Sequence, residues 1–139
     1  MLRGFQDVTD PDMMIKDVRG FGQKANSIPE WWIAEELHDM NLEFLYQVDN
    51  LGGRKHPGGI VTDFVVKAGL TTAIEYLGAY WHTYRKAKDE ALKWSYLLRK
   101  YDRLLLLTDT AISGLIEGAD TIVVKTRKDV AKALRDYLI

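Results

Sequence analysis

Two kinds of hydrophobic periodicity alternate along the chain and predict a mixed α/β protein. Residues 1–26 carry a few apolar side chains with no sustained period, and we interpret them as an N-terminal arm or irregular lead-in. From residue 27 onward, helical and strand patterns follow one another without a linker or repeat. We therefore expect a single domain over residues 27–139, which is long enough to enclose one hydrophobic core.

The first predicted helix begins at Ser27 and runs to about Met40. Ser27 and Glu30 have the spacing of a capping box, in which each side chain binds a free backbone N–H at the start of the helix. Pro29 falls in the first turn, where its missing N–H costs nothing. Capping alone is therefore a sufficient structural explanation of Glu30.

Three strands are predicted next, over residues 42–48, 60–66 and 71–77. The last two are separated by residues 67–70, a spacing that favours an antiparallel hairpin, so the three strands suggest a meander. Between the first two, residues 51–59 are predicted to be a loop because they include four glycines and a proline.

The second half of the chain returns to a helical period over residues 83–99, with an apolar stripe that predicts packing on the sheet. Residues 103–108 are a short continuous apolar run, typical of a strand buried on both faces. A further strand is predicted over residues 121–124 and a terminal helix over residues 128–138. The predicted order is α, β, β, β, α, β, followed by β and α.

Composition limits the chemistry and the location of the protein. The chain has no cysteine, which excludes disulfides and thiolate sites, so any metal must be bound by oxygen or imidazole ligands. No apolar run approaches the length of a membrane span, and the N-terminus lacks the order of a signal peptide. We expect a cytoplasmic protein (in the host cytoplasm if phage-encoded) that has no membrane partner.

The charge is unevenly distributed. The whole chain has a formal net charge of −1, which counts against a general polyanion-binding surface. The segment from His82 to Arg103, however, has a net charge of +4, since it contains seven Lys or Arg and three acids. Expected DNA contacts in this segment are Arg85, Lys86, Lys88 and Lys93. Arg54, Lys55 and His56 in the glycine-rich loop are either a solvated charge cluster or a phosphate clamp.

Asp63 and Glu75 are carboxylates inside otherwise apolar strands, where an unpaired charge is costly. On adjacent antiparallel strands the two side chains can converge and offer two oxygen ligands to Mg²⁺ or Mn²⁺. The alternative is that each acid forms a salt bridge with Lys or Arg. His82, beside Trp81, is either a general acid or base near neutral pH or a partly buried structural residue.

Together these residues resemble the very-short-patch repair (Vsr-like) endonucleases of the PD-(D/E)XK superfamily. The resemblance covers roughly residues 27–107 and is carried by Tyr46-Gln47, Gly52-Gly53-Arg54, Gly58-Gly59, Asp63-Phe64, Ala73-Ile74-Glu75, Gly78 and Tyr80-Trp81-His82. It implies a restriction-endonuclease-like αβββαβ core, with a central mixed sheet flanked by helices. It also implies a Mg²⁺- or Mn²⁺-dependent enzyme that cuts or nicks DNA.

The resemblance also assigns roles to individual residues. Asp63 and Glu75 would hold the metal together with the Tyr76 carbonyl, and His82 would be the general acid or base. Glu30 would be the N-terminal acid of the active site, which adds a catalytic role to its capping role. Asp89, in the second helix, is a further candidate acid.

Two positions depart from the superfamily pattern. Thr62 replaces its proline, and Leu77 replaces the lysine that normally follows the acid by two residues. The missing positive charge must then be absent, supplied by another residue such as Lys93, or replaced in role by His82. A junction-resolving nuclease, as a homodimer, and a non-catalytic DNA-binding or assembly protein on the same fold remain alternatives.

Overall fold

A computed structural model of the chain describes residues 13–50, 60–78, 87–110 and 118–139, with the backbone alone for residues 87–92. Its elements, in chain order, are β1 (Met14–Lys16), β2 (Gly22–Lys24), α1 (Ile28–Asp39), β3 (Glu43–Asn50), β4 (Ile60–Ala68), β5 (Leu70–Leu77), α2 (Ala87–Lys100), β6 (Arg103–Thr108), β7 (Asp120–Val123) and α3 (Arg127–Leu138). In this part of the chain, no helix combines the length and the apolar character needed to cross a bilayer.

The main sheet has five strands in the order β3-β4-β5-β6-β7. The first three strands are antiparallel neighbours, which confirms the predicted meander, whereas β6 and β7 run parallel to β5. The segment that contains α2 connects the parallel strands β5 and β6, as such pairs require. The fold is therefore a mixed α/β fold built on one mixed sheet.

Helices cover both faces of this sheet. Alternate strand residues pack with α1 and α3 on one face, among them Phe64, Ile74, Leu105 and Leu107. The intervening residues pack with α2 on the other face, through Trp94, Leu97, Ala73, Leu104 and Leu106. Residues 104–107 of β6 are at most 1% exposed, so the prediction of a strand buried on both faces is confirmed.

The turn between β4 and β5 is tighter than the sequence pattern predicts. The pattern places residues 67–70 in the connection, but Lys67 and Ala68 still belong to β4, and β5 already begins at Leu70. Gly69 makes the turn with a φ of +82°, a conformation that glycine adopts without the steric cost of a Cβ.

The N-terminal segment corrects one expectation. Residues 13–26 contain the antiparallel hairpin β1–β2 rather than irregular chain, and Ile15 lies in the core with 1% exposure. The hairpin covers β3, which is an edge strand of the main sheet. Asp17 and Arg19 act there as a backbone strand would: the Asp17 carboxylate accepts from the Tyr46 N–H at 2.8 Å, and Arg19 donates to the Tyr46 carbonyl at 2.6 Å.

Replacing Asp17 with alanine should destabilise the protein by about 2–3 kcal/mol, because a buried carboxylate hydrogen bond is lost and the Tyr46 N–H is left without its acceptor. Burial would raise the pKa of Asp17, but hydrogen bonds from Arg19 and from the Tyr46 amide outweigh it and lower the pKa. The loss should therefore appear in urea unfolding at pH 7. The exposed Asp39, changed to alanine, is the control, and an equal effect of both substitutions would contradict this account.

Candidate functional site

The backbone ladder between β4 and β5 ends where Asp63 and Glu75 face each other. Regular pairing runs from Ala68 and Leu70 down to Phe64 and Ile74. Beyond that pair, side chains replace the ladder: the Asp63 N–H donates to the Glu75 carboxylate at 2.7 Å, and the Tyr76 N–H donates to the Asp63 carboxylate at 3.0 Å. The two acids are thus neighbours on adjacent antiparallel strands, as the sequence predicts, and they lie at a break in the backbone pairing that it does not predict.

Gln47 holds the second oxygen of Asp63 from the neighbouring strand. Its side-chain amide donates to Asp63 Oδ1 at 3.2 Å. Gln47 has a φ of +57°, which is uncommon for a residue with a Cβ, and it is missing from the β3–β4 register between Tyr46 and Val48. Strained backbone of this kind persists where the surrounding structure imposes it, often at functional sites. The carboxylate of Asp63 is therefore oriented from both flanking strands.

Glu75 is 1% exposed and forms an ion pair with Lys93 of α2, at 2.6 Å. Burial, followed by the charge of Asp63, raises the pKa of Glu75 to about 7, although Lys93 opposes the rise. This carboxyl therefore changes its charge near neutral pH. This contact brings Lys93, whose side chain is 16% exposed, to one of the predicted metal-binding acids, while its predicted contact with DNA stays a prediction.

Glu30 does not complete the capping box that its spacing predicts. The Ser27 hydroxyl accepts from the Glu30 N–H at 3.3 Å, which is the expected half of the box. The Glu30 carboxylate, however, turns into the protein and accepts from the Tyr46 hydroxyl at 2.6 Å and from the Ser27 hydroxyl at 3.2 Å. The capping explanation therefore accounts for Ser27 but leaves the buried Glu30 carboxylate to be explained.

The three acids influence one another's charge. Burial, followed by the charge of Asp63, raises the pKa of Glu30 well above its ordinary value, and Glu75 adds to the rise. Glu30 comes from α1 on one face of the sheet, whereas Glu75 and Lys93 pack on the other. The charge of Asp63 therefore acts on acids from both faces. The cluster contains three acids and one described cation, a balance that favours an added cation.

The donor set fits a hard divalent cation to a limited extent. Within the described ranges, no three His, Asp or Glu side chains lie close enough to form a ready-made metal cage. Asp63 and Glu75 do supply two neighbouring carboxylates, and Mg²⁺ usually needs only one or two of these beside water and phosphate oxygens. Asp63 and Glu75 would hold such an ion, which would supply Lewis-acid stabilisation of an anionic phosphate.

The remaining predicted site residues are placed only in part. The Tyr76 N–H binds Asp63, while the metal-ligand role of the Tyr76 carbonyl stays a prediction. Lys88 and Asp89 lie in the first turn of α2, where the structure gives the backbone alone. Outside the described residues lie the predicted base and five predicted DNA contacts, namely His82, Arg54, Lys55, His56, Arg85 and Lys86.

Two residues of the site received no role from the sequence, namely Tyr46 and Gln47. Both belong to the dipeptide that opens the resemblance, which was the available signal. A tyrosine and a glutamine in a strand are otherwise typical of an ordinary half-buried surface. Their roles depend on the fold, because Tyr46 reaches Glu30 on α1 and Gln47 reaches Asp63 on β4.

Changing Glu30 to glutamine should stabilise the metal-free protein at alkaline pH. The raised pKa means that the folded state prefers the protonated acid, so native Glu30 loses stability as the pH rises from about 4.5 towards its folded pKa. Glutamine keeps an acceptor for Tyr46 and has no charge to bury.

Thermal melts in EDTA at pH 5 and pH 8.5 measure this effect. The variant and the native protein should agree more closely at pH 5, and the variant should melt higher at pH 8.5. Glu35→Gln on the same helix is the matched control. A difference that does not change with pH would contradict the prediction.

Comparisons of the chain with protein-family models, with curated proteins and with solved structures gave no match, so the interpretation of this site depends on its sequence and its geometry.

Proposed function

We propose that this protein is a Mg²⁺- or Mn²⁺-dependent DNA endonuclease with the restriction-endonuclease-like αβββαβ core of the PD-(D/E)XK superfamily, nearest its Vsr-like branch. The element order from α1 to β6 is compatible with that core. The observation that carries the proposal is the meeting of Asp63, Glu75 and Lys93 where the β4–β5 ladder ends. Two oriented carboxylates and one ammonium group are suited to phosphodiester hydrolysis.

Lys93 supports the proposal because it supplies a positive charge near the acids, which the sequence lacks at the position expected from the superfamily pattern. Leu77 occupies the strand position where a lysine is expected, and it is buried in the apolar core with α2. Lys93 brings a positive charge to Glu75 from the helix instead. The proposed site therefore has the two acids and one cation of the superfamily pattern, although the cation comes from a helix and not from the strand.

In the proposed mechanism Asp63 and Glu75 would hold the ion, which would supply positive charge to stabilise the negative charge of the reacting phosphate. Lys93 orients Glu75 and stabilises negative charge that develops on the phosphate. Gln47 and the Tyr76 N–H hold Asp63 in one orientation, so that little reorganisation is needed when the substrate binds. His82, as proposed from the resemblance, takes or gives the proton of the attacking water or leaving oxygen.

Incubation with supercoiled plasmid tests the proposal. Nicked or linear product should form with Mg²⁺ or Mn²⁺ and not with EDTA, and it should be absent for an Asp63→Asn preparation purified in parallel. Preferential cutting of four-way junctions over linear duplex would select the junction-resolving alternative. Salt-sensitive DNA binding without cleavage by any divalent ion would contradict the enzyme and favour the non-catalytic alternative.

A further inference from the structure

The β1–β2 hairpin presents an aromatic ring to solvent. Phe21, which directly precedes β2, is 55% exposed. Single exposed apolar side chains are common on protein surfaces, so exposure alone assigns Phe21 no role. The surroundings of the ring distinguish it, because one neighbour fixes its position and others carry positive charge.

Arg19 holds the Phe21 ring from one side. Its guanidinium carbon lies over the ring, 5.2 Å from the ring centre. The same guanidinium forms an ion pair with the buried Asp17 carboxylate at 2.6 Å and donates to the Tyr46 carbonyl at 2.6 Å. Arg19 is therefore fixed by two other groups while it contacts the ring. A ring that is ordered in advance loses little conformational entropy when a ligand stacks on it.

The hairpin around this ring is positively charged. Residues 13–26 contain three cations and one acid. The acid, Asp17, is 6% exposed and is paired with Arg19, whereas Lys16 and Lys24 are exposed. In the β1–β2 register, Lys16 and Lys24 also lie on the same face of the hairpin. The exposed charge of this segment is thus positive, which suits a polyanion.

The hairpin also adjoins the proposed cleavage site. Arg19 connects the Phe21 ring to the Tyr46 carbonyl. The next residue of β3, Gln47, donates to Asp63 at 3.2 Å. Each contact on this path is 5.2 Å or shorter. Since successive nucleotides of a duplex rise about 3.4 Å, a short stretch of nucleic acid bound at Asp63 extends past the hairpin.

A nucleic acid combines the two properties that this surface requires. Its phosphates attract the cations, and the flat face of any base can stack on an aromatic side chain. A surface ring stacks on a base only where that base is not enclosed between two others, as at a nick, a bulge or a single strand. The surface therefore suits DNA in which one base has left the helical stack.

We propose that Phe21 is a stacking platform for one unpaired or unstacked base of the nucleic acid that the protein cuts, with Lys16 and Lys24 beside the adjoining phosphates. This inference rests on the proposed nuclease function for the identity of the ligand. It adds a preference that the acids do not provide, because carboxylates and a metal ion act on phosphates and do not distinguish a stacked base from an unstacked one.

Two DNA duplexes that differ by one base test the proposal. Each carries a single-nucleotide bulge, which is an adenine in one duplex and an abasic residue in the other, so the phosphates and their electrostatic attraction are the same. Affinities are measured by fluorescence anisotropy in EDTA, which prevents metal-dependent cleavage. The native protein should bind the adenine bulge about fivefold or more tightly, the low end of what stacking of one base provides.

Substitutions at Phe21 separate stacking from ordinary apolar contact. Phe21→Trp keeps an aromatic ring and should keep the preference for the adenine bulge. Phe21→Leu keeps an apolar side chain without a ring and should lose that preference. Leu70→Ala, at a 50% exposed position at the start of β5, is the control and should bind as the native protein does. Because Phe21 is more than half exposed, both of its variants should melt at the native temperature.

Three results would overturn the inference, namely equal affinity of the native protein for the two duplexes, no binding of either, or an unchanged preference in Phe21→Leu. The last would show an apolar contact of the kind that a protein or lipid partner also makes. Plasmid cleavage without the preference for the base would leave the nuclease proposal intact. A preference that depends on Phe21, without cleavage by any divalent ion, would support the stacking surface and remove the nuclease.

Discussion

Asp63→Asn should reduce Mg²⁺-dependent DNA cleavage about a thousandfold or more while the protein stays folded. A bound metal provides several kcal/mol of transition-state stabilisation, and each 1.36 kcal/mol corresponds to a tenfold change in rate. Asparagine keeps the size of the side chain and an acceptor for the Tyr76 N–H or for Gln47, so the break in the β4–β5 ladder should survive. The substitution removes the charge that holds the cation.

Two measurements separate metal binding from catalysis. Initial rates of plasmid nicking report the catalytic loss, and thermal melts with and without Mn²⁺ report binding, since a ligand that binds only the folded state raises its stability. Mn²⁺ should raise the melting temperature of the native protein and of Asp136→Asn, but not that of Asp63→Asn. Native rates in the Asp63 variant would refute the site assignment.

Lys93→Met should have the largest effect on stability, about 3 kcal/mol at pH 8. Removing one partner of a buried ion pair leaves the other charge uncompensated, here Glu75 at 1% exposure. Lys93 lowers the pKa of Glu75, so its loss moves that pKa above the present value of about 7. An acid with a raised folded pKa loses stability as pH rises from about 4.5 to the folded pKa, and the variant extends this window into the alkaline range. The destabilisation should therefore grow from pH 5.5 to pH 8.

The Lys93→Met/Glu75→Gln double variant tests the mechanism of this loss. Without the buried charge, the double variant should recover much of the stability at pH 8, which makes the two substitutions strongly non-additive in urea unfolding. Lys67→Met, at an exposed position of β4, is the control for loss of a lysine. Additive effects of the two substitutions would show that Lys93 stabilises the protein in some other way. Cleavage should stay low in both variants, because stability returns without the cation.

The sequence predicts the positions of the main strands and helices because burial on one or both faces requires apolar residues at regular spacings. It also predicts that Asp63 and Glu75 converge, since both lie in strands that the short connection makes antiparallel neighbours. Whether Lys93 points to DNA or to Glu75 is not encoded in periodicity. That choice depends on how α2 is set on the sheet.

The features that the sequence does not predict are those that depend on a single side chain reaching a different element. The Glu30 carboxylate follows a local capping pattern in sequence but binds Tyr46 sixteen residues away. The β1–β2 hairpin has strands of three residues, too short for a period to be visible. The backbone of Gln47 has a positive φ that its surroundings impose, and the spacing of apolar residues gives no indication of such a conformation.

The hairpin that covers β3 makes Tyr46 a link between the N-terminal segment and the acids. The backbone of this one residue is held by Asp17 and Arg19, while its hydroxyl holds Glu30. A chain trimmed to begin at residue 27 would therefore lose more than a surface extension. It would expose the N–H and the carbonyl of Tyr46 to water and loosen the donor that fixes a buried carboxylate, so we expect the shortened chain to be less stable and its acids less well positioned.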